Sequence, residues 1–222
     1  MKQFALVVAG GIGQRMKAEI PKQFLELNGR PILMHTLEKF ILADPQISLI
    51  LVLPQAHHIL WKELCVQHNF LNPHRIVAGG ESRFQSVKNG LQACENVGLI
   101  SIHDGVRPLV SPTLILNLYR SAKEKKSAIP VCPLVESIRK IEGQESRSVD
   151  RRHYVSVQTP QCFSSELIQR AYLQQEQIHF TDDASVLEAL GEKVYFIPGE
   201  VTNLKITTPA DLILAEHLLN IK

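Results

Sequence analysis

The chain has 222 residues, 45% of them hydrophobic and 21% charged, and its 24 Lys and Arg against 22 Asp and Glu leave a formal net charge of +2. These values describe an ordinary globular protein with one sizeable core, and with no basic run interleaved with aromatics they give no case for a nucleic-acid partner. No apolar run approaches the roughly 20 residues that cross a bilayer, and no charged leader precedes a long apolar segment, so the reading is a cytoplasmic protein with no membrane partner.

Residues 4–8 form an apolar run too short for a helix, bounded by Gly10, Gly11 and Gly13, which predicts a buried strand feeding a loop. Glycines let backbone N–H groups approach a ligand, and Arg15 and Lys22 add two cations, a composition suited to polyphosphate. The bland alternative is a tight turn with two solvated bases. Two common phosphate motifs fail here. Gly13 is followed by Gln14-Arg15-Met16, where a Walker loop needs Gly-Lys-Ser/Thr, and Met16 fills the place where a dinucleotide fingerprint needs a small residue. Pro21 argues against a long helix running on from the glycines. The expectation is an extended loop wrapping a nucleoside triphosphate.

A helix is predicted from Pro31 to Phe40, a strand over 47–53, and over 56–69, with Ile59, Leu60, Leu64 and Val66, a helix on the sheet's face. A short strand at 75–78 runs into Gly79-Gly80-Glu81-Ser82-Arg83 and then a helix from Ser86. This junction could hold a base or ribose with Gly79, Gly80, Arg83 and Ser86, or be a plain turn with Ser82 as N-cap. The next strand, 99–103, delivers Asp104 at its carboxyl end, where an open parallel sheet binds ligands, so Asp104 is read as a holder of Mg²⁺ or of a hydroxyl, or as the start of a turn that needs no ligand. Arg107 follows it and serves a substrate phosphate or pairs with a carboxylate.

Ser111-Pro112 opens a helix to about Lys125, and a strand follows at 127–131. Residues 133–158 break the alternation and read as a β-arm, an element that tends to find a partner chain. Helices are expected from Ser164 and over 182–190, with Asp182 and Asp183 as caps and dipole partners rather than metal ligands. Strands at 194–197 and 203–207 and a closing helix over 209–219 complete the chain. Lys205, between apolar neighbours, is a cation that needs a reason. Cys65, Cys94, Cys132 and Cys162 are too far apart for a zinc site and read as free or buried thiols.

Taken together the segments resemble the 2-C-methyl-D-erythritol 4-phosphate cytidylyltransferase family. The resemblance rests on Ala9 to Met16 with Pro21-Lys22-Gln23, Gly79 to Arg83 with Ser86-Val87, His103 to Pro108, Asp150-Arg151, Gln158-Thr159-Pro160-Gln161, Thr181 to Ser185 and Asn203 to Thr207. The related ribitol-5-phosphate cytidylyltransferases share the opening loop and are the alternative. A nicotinamide oxidoreductase would need the full dinucleotide fingerprint, and the strand at 47–53 ends in Pro54 instead of an acidic residue. A non-catalytic nucleotide-binding protein gives no reason for Arg15, Lys22 and Lys205 together.

The resemblance implies an α/β, Rossmann-like fold: a mostly parallel sheet covered by helices on both faces, with residues 1–222 as one nucleotidyltransferase domain and a projecting β-arm at about 133–158. It implies Arg15, Lys22 and Lys205 as catalytic cations, and Ala9, Gly10, Gly11, Gly13, Gly79, Gly80 and Ser86 around the nucleotide. Asp104, Arg107, Ser137, Arg151 and Thr159 would face the acceptor, with Asp104 also a candidate Mg²⁺ ligand. The implied substrates are CTP and a sugar-alcohol phosphate, and the implied assembly is a homodimer through the arm.

Overall fold

The apolar run after Lys2 becomes β1 (Gln3–Val8), with Phe4 to Val7 buried. The computed structural model describes residues 1–10, 20–94 and 97–221. A short hairpin follows, β2 (Glu26–Leu27) and β3 (Arg30–Pro31), turned by Asn28 and Gly29 at φ 50° and 73°. Asn-Gly tolerates two consecutive positive φ values, which is what a two-residue hairpin turn requires. Then come α1 (Ile32–Ala43), β4 (Ser48–Leu53), α2 (His58–Gln67), β5 (Arg75–Ala78), α3 (Arg83–Leu91), β6 (Leu99–Asp104), α4 (Pro112–Lys125) and β7 (Ser127–Pro133). Ser111 caps α4 by accepting from Leu114 N–H, Pro112 supplies its preset φ, and Lys126 at φ 67° closes it.

The chain continues through β8 (Arg139–Glu142), β9 (Glu145–Ser148), β10 (Val155–Val157), β11 (Gln161–Ser164), α5 (Ser165–Ala171), α6 (Asp183–Glu188), β12 (Phe196–Pro198) and α7 (Pro209–Asn220). Strands β6, β1, β4 and β5 are parallel, in that order. Strand β11 enters antiparallel between β6 and β7, and β12 lies parallel to β7. Alternate residues of β1 feed two cores, as a two-residue period requires. Ala5 and Val7 pack with Leu37 of α1, Trp61 of α2 and Leu118 of α4, whereas Phe4 and Leu6 pack with Val87 of α3, Ile168 of α5 and Leu187 of α6. The sheet is therefore covered on both faces, as expected. A third cluster seats α7, through Ala215, on Leu27, Ile32, Val106 and Ile206.

Strands β10 and β11 lie along the same side of β7 but out of step. Val157 pairs with Val131 and Cys162 with Ala128, five steps on one strand against three on the other. Residues 158–160 leave the ladder there. Pro130 sits opposite this gap: its carbonyl accepts from Gln158 N–H at 2.9 Å, and its missing N–H faces the same side. A proline inside a sheet normally forfeits a ladder bond, and here no regular partner stands opposite it.

Three expectations change. Residues 203–207 form no strand; Ile206 N–H donates to the Val106 carbonyl, and the segment is extended loop, because its polar groups bond to loops and not to a neighbouring strand. In α2 Leu60 and Leu64 pack against the core as expected, but Ile59 and Val66 are exposed, and the fully buried residue is Trp61. The predicted arm is shorter than 133–158: β8 and β9 form a separate, fully exposed two-stranded hairpin, but β10 belongs to the main sheet through β7. The four cysteines are free, as expected. Among the described residues no helix is long and apolar enough to cross a membrane.

Candidate active site

Strands β1, β4, β5 and β6 are parallel, so their carboxyl ends share one edge, and a cleft of about 210 Å³ opens there. Ala9 and Gly10, directly after β1, form its floor; Gly80, Arg83 and Ser86 form one wall, and Asp104, Lys22 and Lys205 line it as well. Gly11, Gly13 and Arg15 lie outside the described residues.

The floor is held from within. Ala9 N–H donates to the Val52 carbonyl at 2.9 Å, and its carbonyl accepts from the buried Gln23 Nε2 at 2.8 Å, so Ala9 contributes shape rather than an open hydrogen bond. Gln23 lies in a single 3₁₀ turn, Lys22–Phe24, after Pro21, so the same turn that anchors the floor aims Lys22 into the cleft. Lys22 Nζ also donates to the Ile206 carbonyl at 3.3 Å, which joins the opening loop to the segment that carries Lys205.

The glycine wall has the Ser82 cap that the plain-turn reading expects, and it also lines the cleft. Ser82 caps α3, accepting from Gln85 N–H, while Ser86 Oγ accepts from Gly80 N–H at 3.0 Å and pins the loop. A Cβ at Gly79 would stand 3.1 Å from Ser86 Oγ, and one at Gly10 3.7 Å from the same atom. The three glycines therefore gather closely around one hydroxyl.

Asp104, at the end of β6, is the electrostatic centre. Its Oδ2 lies 3.1 Å from both Lys205 Nζ and Arg107 Nε. Burial pushes its carboxyl up, but Lys205, Arg83 and Arg107 outweigh burial and hold it well below the usual carboxylate range. It is a fixed anion at neutral pH. Arg107 donates as well to the Asn203 carbonyl at 2.9 Å.

Behind Asp104 the proton positions follow from the partners. His103 Nε2 faces the Arg107 carbonyl at 3.2 Å, an acceptor only, so Nε2 carries the proton and Nδ1 accepts. Thr159 Oγ1, 2.9 Å from Nδ1, must then donate to it while accepting from Asp104 N–H at 3.1 Å. Burial pushes the His103 imidazole down to about 4, with Asp104 opposing. Thr159 is thus buried and its hydroxyl is taken up in orienting Asp104.

Sequence reasoning named no role for the polar residues that hold these groups. Gln158, displaced from the ladder, donates through Nε2 to the Glu200 carbonyl at 2.8 Å, and Asn203 Nδ2 donates to the Thr159 carbonyl at 2.9 Å; together they moor the segment leading to Lys205. Gln161 Nε2 donates to Asp182 Oδ2 at 2.8 Å and its Oε1 accepts from Ala184 N–H at 2.9 Å, fixing the start of α6. The only hint in the chain is two glutamines flanking Thr159-Pro160. Asp182 is the expected cap, within a capping box with Ser185, but Asp183 is not: its buried carboxylate binds Arg83. Ser137 and Arg151 lie exposed on and beside the arm, outside the cleft wall, where Arg151 donates to the Val135 carbonyl.

The sequence-family model described as 2-C-methyl-D-erythritol 4-phosphate cytidylyltransferase matches residues 3–221. The enzyme of that name from Bacteroides fragilis is 49% identical over 219 residues, which cover 99% of this chain and 100% of the relative. The one from Porphyromonas gingivalis is 49% identical over 98% of both chains. Among solved structures, that from Thermus thermophilus superposes with a TM-score of 0.78 at 31% identity, covering 99% of this chain and 100% of that one. The 4-diphosphocytidyl-2C-methyl-D-erythritol synthase from Anaerococcus prevotii gives a TM-score of 0.83 at 28% identity over 99% and 96%. With its whole length matched and its cleft charged in this way, the chain belongs to the 2-C-methyl-D-erythritol 4-phosphate cytidylyltransferase family.

Proposed function

We propose that the protein transfers CMP from CTP to 2-C-methyl-D-erythritol 4-phosphate, releasing pyrophosphate and forming 4-diphosphocytidyl-2-C-methyl-D-erythritol. An oxygen of the acceptor phosphate bonds to the α-phosphorus as the bond to the bridging β-oxygen breaks, and the electron pair leaves with pyrophosphate. Negative charge gathers on the five-coordinate phosphorus and the departing oxygens, so positioning and electrostatic stabilisation suffice, without a covalent enzyme intermediate. The observation that carries the reading is one cleft at the sheet's carboxyl edge, lined by Lys22, Arg83 and Lys205 together with the Asp104 carboxylate, in a member of this family.

In this reading Lys22, with Arg15, neutralises the triphosphate from the loop side, and Lys205 works from the opposite side. Ala9, Gly10, Gly11, Gly13, Gly79, Gly80 and Ser86 cradle the nucleotide. Asp104, an anion throughout the neutral range, cannot donate a proton and accepts instead, from an acceptor hydroxyl. Arg107, Ser137 and Arg151 serve the sugar-alcohol phosphate, and Thr159 serves it through Asp104. The 222 residues act as one nucleotidyltransferase domain in the cytoplasm.

A divalent cation such as Mg²⁺ suits this donor set in one way. Among the described residues no three His, Cys, Asp or Glu side chains come together as a metal site, and Asp104 Oδ2 already faces two cations. The ion would be held chiefly by phosphate oxygens, with Asp104 as its protein ligand, and would supply charge neutralisation at those oxygens.

The test is pyrophosphate release from CTP and Mg²⁺ with methylerythritol phosphate, ribitol 5-phosphate or no acceptor. Release with the first alone is expected. Release with ribitol 5-phosphate alone, or with neither, overturns the reading.

A further inference from the structure

We propose that Asp183 is a positioning residue for the nucleotide side of the cleft, acting through Arg83 and itself fixed by Tyr172. The inference rests on the cytidylyltransferase reading. Arg83, the first residue of α3, lines the cleft with its side chain one-third exposed, and it grips Asp183 through two parallel bonds, of 2.9 and 2.6 Å. Asp183 is fully buried, and Tyr172 Oη donates to its Oδ1 at 2.6 Å. Burial, then the charge of Asp183, pushes the Tyr172 phenol well above its ordinary range, so it stays a donor.

Each link fixes the next in space. The Tyr172 ring stacks on Phe84, the neighbour of Arg83, with centroids 4.7 Å apart, and Phe180 stacks on Phe84 in turn at 5.8 Å. Gln161 holds the backbone of α6 from strand β11, so Asp183 is referenced to the main sheet. The first turn of α3 does not need this ion pair to form, because Ser82 already caps it. A buried ion pair is also a poor way to stabilise a core, where apolar residues of equal volume often do as well. What the pair adds is direction for the guanidinium.

Two of its five N–H groups go to Asp183, and the guanidinium also lies against the Tyr172 phenol, with about a third of the side chain left exposed at the cleft. Arg83 shares the cleft with Lys22 and Lys205, and its charge is one of those that hold the Asp104 carboxyl down. A forked, always-charged donor set on the glycine-loop wall suits an oxygen of the bound nucleoside triphosphate. Ser137 and Arg151, assigned above to the acceptor, lie outside this wall, so the effect is expected to fall on CTP.

The experiment compares the full chain with Asp183→Asn, Tyr172→Phe and Arg83→Lys in steady-state kinetics, in calorimetric CTP binding without acceptor, and in thermal unfolding with and without CTP. Asp183→Asn and Arg83→Lys are expected to raise KM for CTP about 10-fold or more, the scale of one misplaced charge-assisted hydrogen bond. KM for methylerythritol phosphate should stay within about twofold, and CTP should raise Tm less than in the wild type. Tyr172→Phe should show the same pattern at about threefold. Equal rises in both KM values, or an unchanged KM for CTP in folded variants, would overturn the proposal. If Asp183→Asn does not fold, the other two variants decide it. Should the wild type bind CTP but release no pyrophosphate, the transferase reading falls, and CTP affinities of the variants still decide this one.

Discussion

Lys205 Nζ lies 3.1 Å from Asp104 Oδ2, which joins an exposed cation on a late loop to a buried anion at the end of a central strand. The pair explains why a lysine stands between Leu204 and Ile206, both packed in the α7 cluster. Ile206 is buried and Leu204 half-buried beneath the loop, while the Lys205 ammonium lines the cleft. Lys22 reaches the same loop through the Ile206 carbonyl. We expect Lys22→Ala and Lys205→Ala each to lower turnover at least about 10²-fold, the loss seen when one transition-state donor is removed. Near-normal kcat in either variant would remove its assigned role.

His103 makes stability depend on pH in a defined window. Its imidazole is held near 4 when folded, against an ordinary value of 6.5, so between these values the unfolded chain takes a proton that the folded one refuses. The contribution is fully present above about 6.5 and is lost as pH falls toward 4, by roughly 3 kcal/mol at about 1.4 kcal/mol per pKa unit. Asp104, held low, adds to the loss only as pH falls below its ordinary 3.8. Urea unfolding across pH 4.5 to 7.5 should show the decline. Imidazole NMR should find a neutral ring protonated on Nε2 at pH 5.5, and a ring titrating near 6.5 would contradict the assignment.

Thr159→Val removes the hydroxyl that serves both Asp104 N–H and His103 Nδ1. Two buried polar groups then lose a partner, at about 1–3 kcal/mol each, and Asp104 loses its orientation. Chemical denaturation should report the stability loss, with a fall in kcat alongside it. Thr159→Ser should recover most of both, and a fully stable, active Val variant would show that the hydroxyl is not needed.

Gly90, inside α3, sets two effects against each other. Alanine is preferred to glycine within a helix by roughly 1 kcal/mol, but a Cβ here would stand 2.3 Å from Leu6 Cδ1 and 2.8 Å from Val52 Cγ2. Overpacking typically costs about 1–3 kcal/mol. We expect Gly90→Ala to be destabilising on balance, by thermal melt, and a raised Tm would mean that the helix shifts freely on the sheet.

The arm gives the assembly prediction. Exposed Val135, Ile141, Tyr154 and Val155 lie on and beside the β8–β9 hairpin, and such an exposed β edge tends to be covered by a partner. A homodimer is expected by light scattering at micromolar concentration, and a monomer there would defeat it. Arg151→Ala should raise KM for the acceptor and leave that for CTP unchanged.

Much of this was readable beforehand because it is local. Strands β1, β4 and β6 are short apolar runs, α4 announces itself by Ser111-Pro112, and Asp104, Lys22 and Lys205 are charges in places that call for a reason. What escaped is set by distant partners. The buried side of α2 is centred on Trp61, which packs against Phe24 and Phe70 with Leu60 and Leu64 beside it, and it leaves Ile59 and Val66 in solvent. Residues 203–207 have a strand's composition but spend their hydrogen bonds on Val106, Thr159 and Lys22. The glutamines of 158–161 and the Asp183 carboxylate reveal their roles only when the strands that carry them are laid side by side.

The two extra residues between β10 and β11 also determine which changes of length the chain can absorb. Because two is even, the inside and outside faces stay in phase across the gap, with Gln161 turned toward the start of α6 and Cys162 into the core. Inserting or deleting one residue between Val157 and Gln161 would exchange these faces along all of β11, burying an amide where a thiol packs. The turn at Gly143, in the exposed hairpin, has open space around it within the chain and can lengthen without disturbing the sheet. Within one stretch of about 30 residues, length should therefore vary at the tip of the arm and be invariant at its return to the sheet.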